Sequence, residues 1–593
     1  MQRFTAQRHK RQLGGPITTA TASTVWRPLL NKGPAYTSLL LLLLLILLTA
    51  LFVSSFWSTA STGEPATVVA NQNEIVVQSK MREKKTKKRW LRLNCSGTTE
   101  NNHTCWRRRV EEEEEEEEGE GVEENSTVCP EYLRWIHEDL GPWKKKKIRK
   151  EMVEAANATA HFRIVVKKGR AYVLRYKKSI QTRDVFTIWG ILQLMRRYPS
   201  MVPDLDLMFD CDDRPVIRAR DYRRPNSIGP PPLFRYCGDR WTHDIVFPDW
   251  SFWGWYAFAS SVLSFLRSRL CLNHLILLYS YLLAVLVFSF VQKRVTKAEI
   301  NIRPWEQLLK EIKIGNEMIK WIDREPYAYW KGNPFVAEIR QDLLKCNVSD
   351  TQDWNARLFV QDWIKESQQG FNQSNLASQC THRYFLPFDH HLKILFPTNH
   401  HVSEKNILAC DSVTLMVKPR FYDFFIRSLQ PTQHYWPIRD DDKCKSIKFA
   451  VHWGNNHKQK AQDIGKAASK FIQEELKMEY VYDYMFHLLN EYSKLLNYEP
   501  EVPEGAVEVC AEAMACTRSG LEKQFMIESM MNEPSTKAPC TLPPPFEPTS
   551  LRVFYGTKLN LIKRVERWED NYWNNSTQTQ QGNTITSQVI KSQ

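Results

Sequence analysis

The 593-residue sequence lacks most of the short motifs that identify an enzyme class directly. No CxxC pair occurs among its 13 cysteines, which argues against zinc ribbons and permits disulfides in an oxidising compartment. A serine nucleophile elbow, an HExxH pair and a protein-kinase motif set are also absent. These absences exclude the common zinc, serine-hydrolase and kinase chemistries, so the function has to be sought in longer patterns.

The N-terminus lacks acidic residues and then becomes strongly apolar. Residues 1–35 carry six Lys or Arg and no acid, and residues 38–57 are long enough to cross a bilayer. Because basic flanks stay cytoplasmic, the pattern predicts a cytoplasmic tail (1–37) and a type II single-pass anchor (38–57). Eight N-x-Ser/Thr sequons fit a lumenal remainder. The C-terminus has no KDEL-type signal, so we expect the Golgi membrane, with the endoplasmic reticulum as second choice.

The rest of the chain is too long for one hydrophobic core. Residues 58–128 include the acidic run Glu111–Gly121 and are predicted to be a largely disordered stem. Residues 129–565 mix strands and helices in a pattern typical of an α/β protein with two lobes. Residues 566–593 form a polar tail, which is predicted to be disordered after about residue 571. The net charge of +14 comes largely from local runs of basic residues that have no binding module around them. We therefore expect a solvated or membrane-proximal surface and no nucleic-acid partner.

Three candidate sites stand out, and the first is the stretch DLMFDCDDRPVI at 206–217. Leu205, Leu207 and Phe209 alternate with Asp206, Met208 and Asp210, which predicts a period-2 strand that ends in carboxylates. These carboxylates have three interpretations. A D-x-D pair (Asp204/Asp206 or Asp210/Asp212) holds a divalent ion, one aspartate is a general base, or the strand end is simply solvated.

The second candidate is REPYAYWKGNPFVAEIRQDLLKC at 324–346, where an aromatic strand meets Gly332 and then a turn before a helix. Backbone N–H groups at such a turn can approach an anion, although a plain strand–turn–helix is the simpler interpretation. The third is FPDWSFWGW at 247–255, which is either an exposed aromatic platform for an acceptor or part of the core.

Six blocks, taken in order, resemble a known family. They are CPEYLRWIHEDLGPW, LMFDCDDRPVI, HDIVFPDWSFWGW, YAYWKGNPFVAEIRQDLL, CTHRY and EKNILACDSVTLMVKPRFYDFF. Together they resemble glycosyltransferase family 90, the Rumi-type protein O-glucosyltransferase group in a plant-like form. The resemblance implies a GT-B fold of two Rossmann-like lobes with a cleft between them, an acceptor-side lobe at about 129–305 and a donor-side lobe at about 306–565.

The family resemblance also implies a mechanism and its residues. Glucose or xylose passes from a UDP-sugar to an acceptor hydroxyl with inversion, without a metal ion or other cofactor, and Asp213 matches the general base. Donor-binding positions match five residues: Lys331, Gly332, Asn333, Arg340 and Lys405. A family disulfide matches Cys380–Cys410, and Cys211–Cys237 is a weaker expectation. Acceptor identity (protein or glycan) and oligomeric state stay open.

Two segments depart from the family pattern. Residues 256–297 form an apolar insert that by length resembles a membrane span, but a span here would divide the catalytic domain, so translated non-coding sequence is the preferred explanation. Residues 385–402 replace a glycine-containing donor loop with a segment that contains His390, His391, His400 and His401. A metal site there is disfavoured by the spacing. Two alternatives to the main function therefore stay open: a metal-dependent, GT-A-like D-x-D transferase, and an inactive membrane-anchored lumenal protein.

Overall fold

The computed structural model describes residues 127–591 together with Leu93 and Cys95, apart from 181, 225–227, 255–301, 337, 362–376, 387–401 and 418–420. The predicted anchor, the acidic run, the apolar insert and the four histidines between 390 and 401 therefore lie outside the described residues. Within the described part of the chain, no helix is both long enough and apolar enough to cross a membrane.

The first of two large sheets has six strands in the order β13-β2-β1-β3-β4-β6. In chain order, the strands are β1 Phe162–Lys167, β2 Arg170–Arg175, β3 Leu205–Phe209, β4 Leu233–Arg235, β6 Ile245–Val246 and β13 Val507–Val509. Strands β1 and β2 form a hairpin, with Lys168 and Gly169 in the left-handed region that two-residue hairpin turns require. β3 pairs antiparallel with β1 and parallel with β4, so its end lies in the middle of the sheet.

The predicted period-2 strand is present as β3, but all five of its residues are buried, so its polar position also lies in the interior. The reason is Asp206, whose carboxylate receives two hydrogen bonds from the Arg163 guanidinium, at 2.6 and 2.5 Å. Tyr498 also donates a hydrogen bond to this carboxylate, at 2.7 Å. A polar position in the alternation is thus a buried and fully partnered ion pair, which leaves Asp206 unsuited to bind a metal.

The second large sheet is parallel throughout, with the order β12-β10-β9-β7-β8. Its strands are β7 Glu325–Gly332, β8 Ala356–Val360, β9 His382–Phe385, β10 Val413–Val417 and β12 Trp436–Ile438. A small antiparallel pair, β5 Gly238–Asp239 with β11 Phe421–Tyr422, joins an early segment of the chain to a late one. Mixed α/β architecture with parallel strands is therefore confirmed.

Helices cover both sheets, and the long ones fall where apolar residues recur at helical spacing. In chain order they are α1 Trp135–Asp139, α2 Lys150–Ala155, α3 Arg183–Arg197, α4 Trp305–Met318, α5 Glu338–Leu344, α6 Val402–Leu408, α7 Lys443–Asn456, α8 Lys458–Glu475, α9 Met478–Ser493, α10 Ala511–Ala515, α11 Gly520–Glu528 and α12 Pro548–Lys591. The predicted tail disorder is not what the structure has, because α12 continues to Lys591. Val565 and Tyr572 of this helix pack against the second sheet's core, which gives the helix a tertiary support that composition does not reveal.

Each large sheet has its own hydrophobic core. One cluster surrounds the six-stranded sheet with α3 and α9, and the other surrounds the parallel sheet with α7 and the start of α8. The chain passes from the second core back to the first within α8, since Ile464 belongs to one cluster and Ala468 to the other. Late segments of the sequence therefore complete the early sheet.

Four disulfides join the described cysteines: Cys95–Cys516, Cys129–Cys540, Cys346–Cys444 and Cys380–Cys410. The predicted Cys380–Cys410 bond is confirmed. The weaker expectation, Cys211–Cys237, is wrong, because both are buried free thiols. The Cys237 thiol instead donates to the carbonyl oxygen of Asp213, and the Cys211 sulfur accepts from Tyr236.

The closest approach of α3 to the aromatic block depends on Gly190, and this contact is testable. A Cβ at Gly190 would lie 2.6 Å from ring carbons of the buried Trp253, whereas a Cβ at Gly556 on the exposed side of α12 would meet nothing within 4 Å. Gly190→Ala should therefore destabilise the protein by about 1–3 kcal/mol through overpacking. Gly556→Ala should stabilise it by up to about 1 kcal/mol through helix propensity. Urea unfolding measures both, and a stabilising Gly190→Ala would contradict the packing.

Candidate functional site

The carboxylates after β3 lie in three different environments. Asp210 is buried, Asp213 is nearly buried at 8% exposure, and the side chain of Asp212 is 41% exposed. The solvated strand end is therefore the wrong interpretation for Asp210 and Asp213. β3 ends at Phe209, so Asp212 and Asp213 follow one another in a bend, and the bend rather than strand alternation separates their environments.

Asp210 is the acceptor in a buried charge cluster. Arg235 donates to its Oδ2 atom, and the backbone N–H of Asp212 donates to Oδ1 at 3.0 Å. His161 Nδ1 lies 3.0 Å from the same Oδ1 atom. Burial alone would raise the pKa of Asp210, but hydrogen bonding to His161, Arg235 and the Asp212 N–H outweighs burial and lowers the pKa to about 2. Asp210 is thus ionised, and both of its carboxylate oxygens are engaged by groups inside the protein.

Asp244 is a second carboxylate partner of Arg235. Its Oδ1 atom lies 3.5 Å from Arg235 Nε, and its two carboxylate oxygens accept hydrogen bonds from the N–H groups of Val216 and Ile217 at 3.0 Å. Burial raises the pKa of Asp244 to about 6, against the opposing effect of Arg235. The cluster therefore fixes the backbone that follows Asp213.

Asp213 is held by an arginine that opens α3. Arg183 Nη1 lies 2.7 Å from Asp213 Oδ1 and donates to the Cys211 carbonyl oxygen at 2.8 Å. The guanidinium carbon lies 4.4 Å from the centre of the Trp250 ring, and Arg183 itself is 1% exposed. The buried guanidinium therefore fixes the orientation of the Asp213 carboxylate just after the end of β3.

The aromatic block 247–253 is core, and the exposed-platform interpretation is wrong. Phe247, Trp250, Phe252 and Trp253 are all at most 1% exposed. The block is fixed from α9, because Trp253 Nε1 donates to the Tyr482 hydroxyl at 2.9 Å. Its function in the site is to support the charged residues packed against it.

Lys405 on α6 reaches this block from the second half of the chain. Its ammonium lies 3.2 Å from Asp249 Oδ2 and 2.5 Å from Ser251 Oγ, and 4.4 Å from the centre of the Phe252 ring. Lys405 is 1% exposed. The turn at 249–252 thus contacts two predicted site regions that lie far apart in sequence: Asp213 through Arg183, and Lys405 directly.

The predicted donor-binding residues 331–333 lie where β7 ends in the parallel sheet. Lys331, Gly332 and Asn333 are half-buried, and the Asn333 side chain accepts from the Phe335 N–H at 2.9 Å in the turn. Arg340 on α5 donates to the Asn333 carbonyl oxygen at 3.4 Å. The strand–turn–helix is confirmed, and the carboxyl end of a parallel strand is where such sheets bind ligands.

Sequence reasoning missed Arg183, Arg235 and His161. The two arginines each had a weak signal in the sequence. Arg183 places a cation in the first turn of a helix, against the helix dipole, and Arg235 ends an otherwise apolar strand. Such locally unfavourable charges indicate a partner elsewhere in the fold.

His161, Asp210 and Asp212 bring three potential metal-ligand atoms within 4.8 Å of one another. Their existing contacts fit a metal poorly, because Arg235 already donates to Asp210 and His161 Nδ1 already lies at hydrogen-bond distance, 3.0 Å, from Asp210 Oδ1. The remaining pair, His161 Nε2 and Asp212 Oδ1, lies 3.6 Å apart and offers too few ligands for a tight site.

Comparisons with known proteins cover most of the described chain. The family model "Glycosyl transferase family 90" matches residues 124–272 and 287–569, and the gap between these segments falls inside the predicted insert. O-glucosyltransferase rumi of Drosophila melanogaster is 20% identical over 380 residues, which cover 63% of this chain and 78% of the relative. Protein O-glucosyltransferase 1 of Homo sapiens is 20% identical over 390 residues, 63% of this chain and 82% of the relative. The rumi homolog of Anopheles gambiae is 22% identical over 398 residues, 65% and 84%.

Asp210 is the most buried of the three aspartates and Asp212 is the most exposed, so the two give a matched test. Asp210→Asn leaves the buried Arg235 without its main partner and should cost about 3 kcal/mol, as for other broken buried pairs. Asp212→Asn should change stability by less than about 0.5 kcal/mol, as for other surface changes. Urea unfolding at pH 7 measures the difference.

The same variant has a defined pH dependence. The folded pKa of about 2 lies below the unfolded value of about 3.9, so the stabilisation by Asp210 is present above about pH 4. It is lost as the pH falls towards 2, and the gap between wild type and Asp210→Asn should close over that range. A gap that persists at pH 2 would contradict this assignment.

Proposed function

Because this chain belongs to glycosyltransferase family 90 and is a glycosyltransferase, we propose that it transfers glucose or xylose from a UDP-sugar to an acceptor hydroxyl. In this proposal the reaction inverts the anomeric centre and needs no metal ion or other cofactor. The observation that carries it is the buried Arg183–Asp213 ion pair at the end of β3, beside Trp250.

Asp213 is proposed as the general base. The Arg183 contact occupies one carboxylate oxygen and fixes the orientation of the group. As the acceptor hydroxyl oxygen attacks the anomeric carbon, its proton passes to Asp213, and the bond to the UDP oxygen breaks on the opposite side of the sugar. A positioned base of this kind is consistent with the rigid support from the Trp250 turn.

The donor nucleotide is proposed to bind at the parallel sheet, in a GT-B arrangement of two Rossmann-like lobes. Lys331, Gly332, Asn333 and Arg340 gather at the end of β7, where cationic groups and backbone N–H groups would stabilise the departing diphosphate. Lys405 is proposed to act on the donor side from its place between Asp249 and Ser251. A Lys point charge at 331 replaces the bidentate contact that an arginine makes.

The acceptor is proposed to be a protein, as the relatives' names (protein O-glucosyltransferase) suggest, with a glycan as the other possibility. The proposed location is the Golgi lumen, on a type II anchor at 38–57. Four disulfides in the described residues support an oxidising compartment.

One observation favours a second candidate, the metal-dependent transferase. His161, Asp210 and Asp212 lie close enough together to share an ion. That candidate predicts that activity and UDP binding disappear in EDTA and return with Mn²⁺. The contacts of Asp210 with Arg235 make it the weaker proposal.

Binding of UDP to the lumenal part (residues 90–593) by calorimetry in EDTA tests the donor site. UDP is common to both proposed donors, so the result does not depend on the sugar. We expect saturable binding without metal. Binding that requires Mn²⁺ would support the second candidate, and no binding under either condition would support the inactive alternative.

Asp213→Asn tests the catalytic assignment. It should lower turnover by about 100- to 10,000-fold, the range for general bases. UDP affinity should stay near that of wild type, because the substitution keeps the shape of the side chain. Asp212→Asn is the matched control and should retain activity. If Asp212→Asn alone abolished turnover, the base would be assigned wrongly.

A further inference from the structure

The surface that follows Asp213 carries a dense group of arginines. Residues 214–224 contain five arginines and one aspartate, and all five arginines are exposed: Arg214, Arg218, Arg220, Arg223 and Arg224. Arg240 adds a sixth exposed cation. In the part of the chain that the structure describes, Arg220 alone of these six arginines lies within ion-pair distance of a carboxylate. Its Nε atom is 3.6 Å from Asp221 Oδ1. The group therefore presents an excess of positive charge to solvent.

This arginine surface is hydrogen-bonded to residues 241–243, in and just after the turn that follows β5. The Ala219 N–H donates to the Trp241 carbonyl oxygen at 2.8 Å, and the His243 N–H donates to the Ile217 carbonyl oxygen at 2.7 Å. Arg218 and Thr242 form an antiparallel bridge between the same segments. These bonds fix the 216–222 segment against 239–243, so the arginines lie on an ordered backbone.

An exposed tryptophan completes the surface. Trp241 is 54% exposed, and the Arg240 guanidinium carbon lies 4.3 Å from the centre of its ring. A large exposed aromatic side chain among arginines is typical of binding surfaces, where these two residue types supply most of the energy.

The surface adjoins the proposed base in the chain and through the charge cluster. Arg214 is the next residue after Asp213, and the buried Asp244 that holds the N–H groups of Val216 and Ile217 also faces Arg235. Cations fixed next to the proposed base attract negative charge on the molecule that carries the acceptor hydroxyl.

We propose that the 214–224 segment with Arg240 and Trp241 binds the acceptor, and that this acceptor is an acidic polypeptide whose carboxylates flank the modified hydroxyl. The assignment rests on the proposed function for the choice of protein over glycan. Arginine guanidinium groups pair with carboxylates in a planar, two-bond geometry, so an acidic peptide suits this surface better than a neutral one.

The test measures the binding of two synthetic peptides to the full chain in the presence of excess UDP. One contains a single serine flanked by four glutamates, and its twin has four glutamines instead. Fluorescence anisotropy should show about 10-fold tighter binding of the glutamate peptide at about 50 mM salt, because exposed charges attract strongly at low ionic strength. The preference should shrink at about 500 mM salt, where such attractions are screened.

Matched variants place the effect on the surface. Arg218→Glu/Arg223→Glu should remove or reverse the preference for the glutamate peptide. Lys145→Glu/Lys146→Glu changes two exposed lysines elsewhere by the same total charge and should keep the preference. Equal binding of the two peptides by wild type would overturn the proposal, as would an equal loss in both double variants. Binding of an acidic oligosaccharide (oligogalacturonate) but of neither peptide would overturn the assignment to polypeptide.

UDP binding to each variant is measured in parallel and separates the two claims. A chain that binds the glutamate peptide but no UDP would keep the acceptor surface and reject the transferase proposal. A chain that binds UDP but shows no preference between the peptides would do the reverse.

Discussion

Two cations buried against one turn organise the centre of this protein. Arg183 comes from the start of α3 and Lys405 from α6, and both pack against residues 249–252. Burying a charge is costly unless it is paired and hydrogen-bonded, so each cation requires its carboxylate: Asp213 for Arg183, and Asp249 for Lys405. The energetic requirement thus ties the end of β3, the aromatic turn and α6 into one rigid arrangement, and the two sheets are connected through it.

Regular elements were predictable because their signals are local. The β1–β2 hairpin follows from two β-rich runs around Lys168–Gly169, and α3 follows from its apolar spacing. Local signals failed where a distant partner decides the outcome. Asp206 occupies the polar position of a period-2 strand, but it is buried because Arg163 on the neighbouring strand pairs with its carboxylate. Trp250 and Phe252 have no periodicity that separates an exposed platform from core.

The candidate site shows the same division. The family resemblance predicts site roles for Asp213, Lys405 and the 331–340 region, and the Cys380–Cys410 disulfide that it implies is confirmed. It did not identify Arg183, His161 or Arg235, because their partners are recognised only in three dimensions. The Cys211–Cys237 expectation failed for a related reason: each thiol is already engaged, one with Tyr236 and the other with the Asp213 carbonyl oxygen.

The disulfides that flank the acidic run determine which pieces of the chain a protease can release. Cys95 is bonded to Cys516 and Cys129 to Cys540, so residues 96–128 begin and end at covalent attachments to the folded domain. A cut anywhere in 96–128 would leave this chain in two pieces that remain joined through Cys95–Cys516. Release of the residues before Cys95 therefore requires a cut on the N-terminal side of residue 95, and the folded domain would then keep its acidic run.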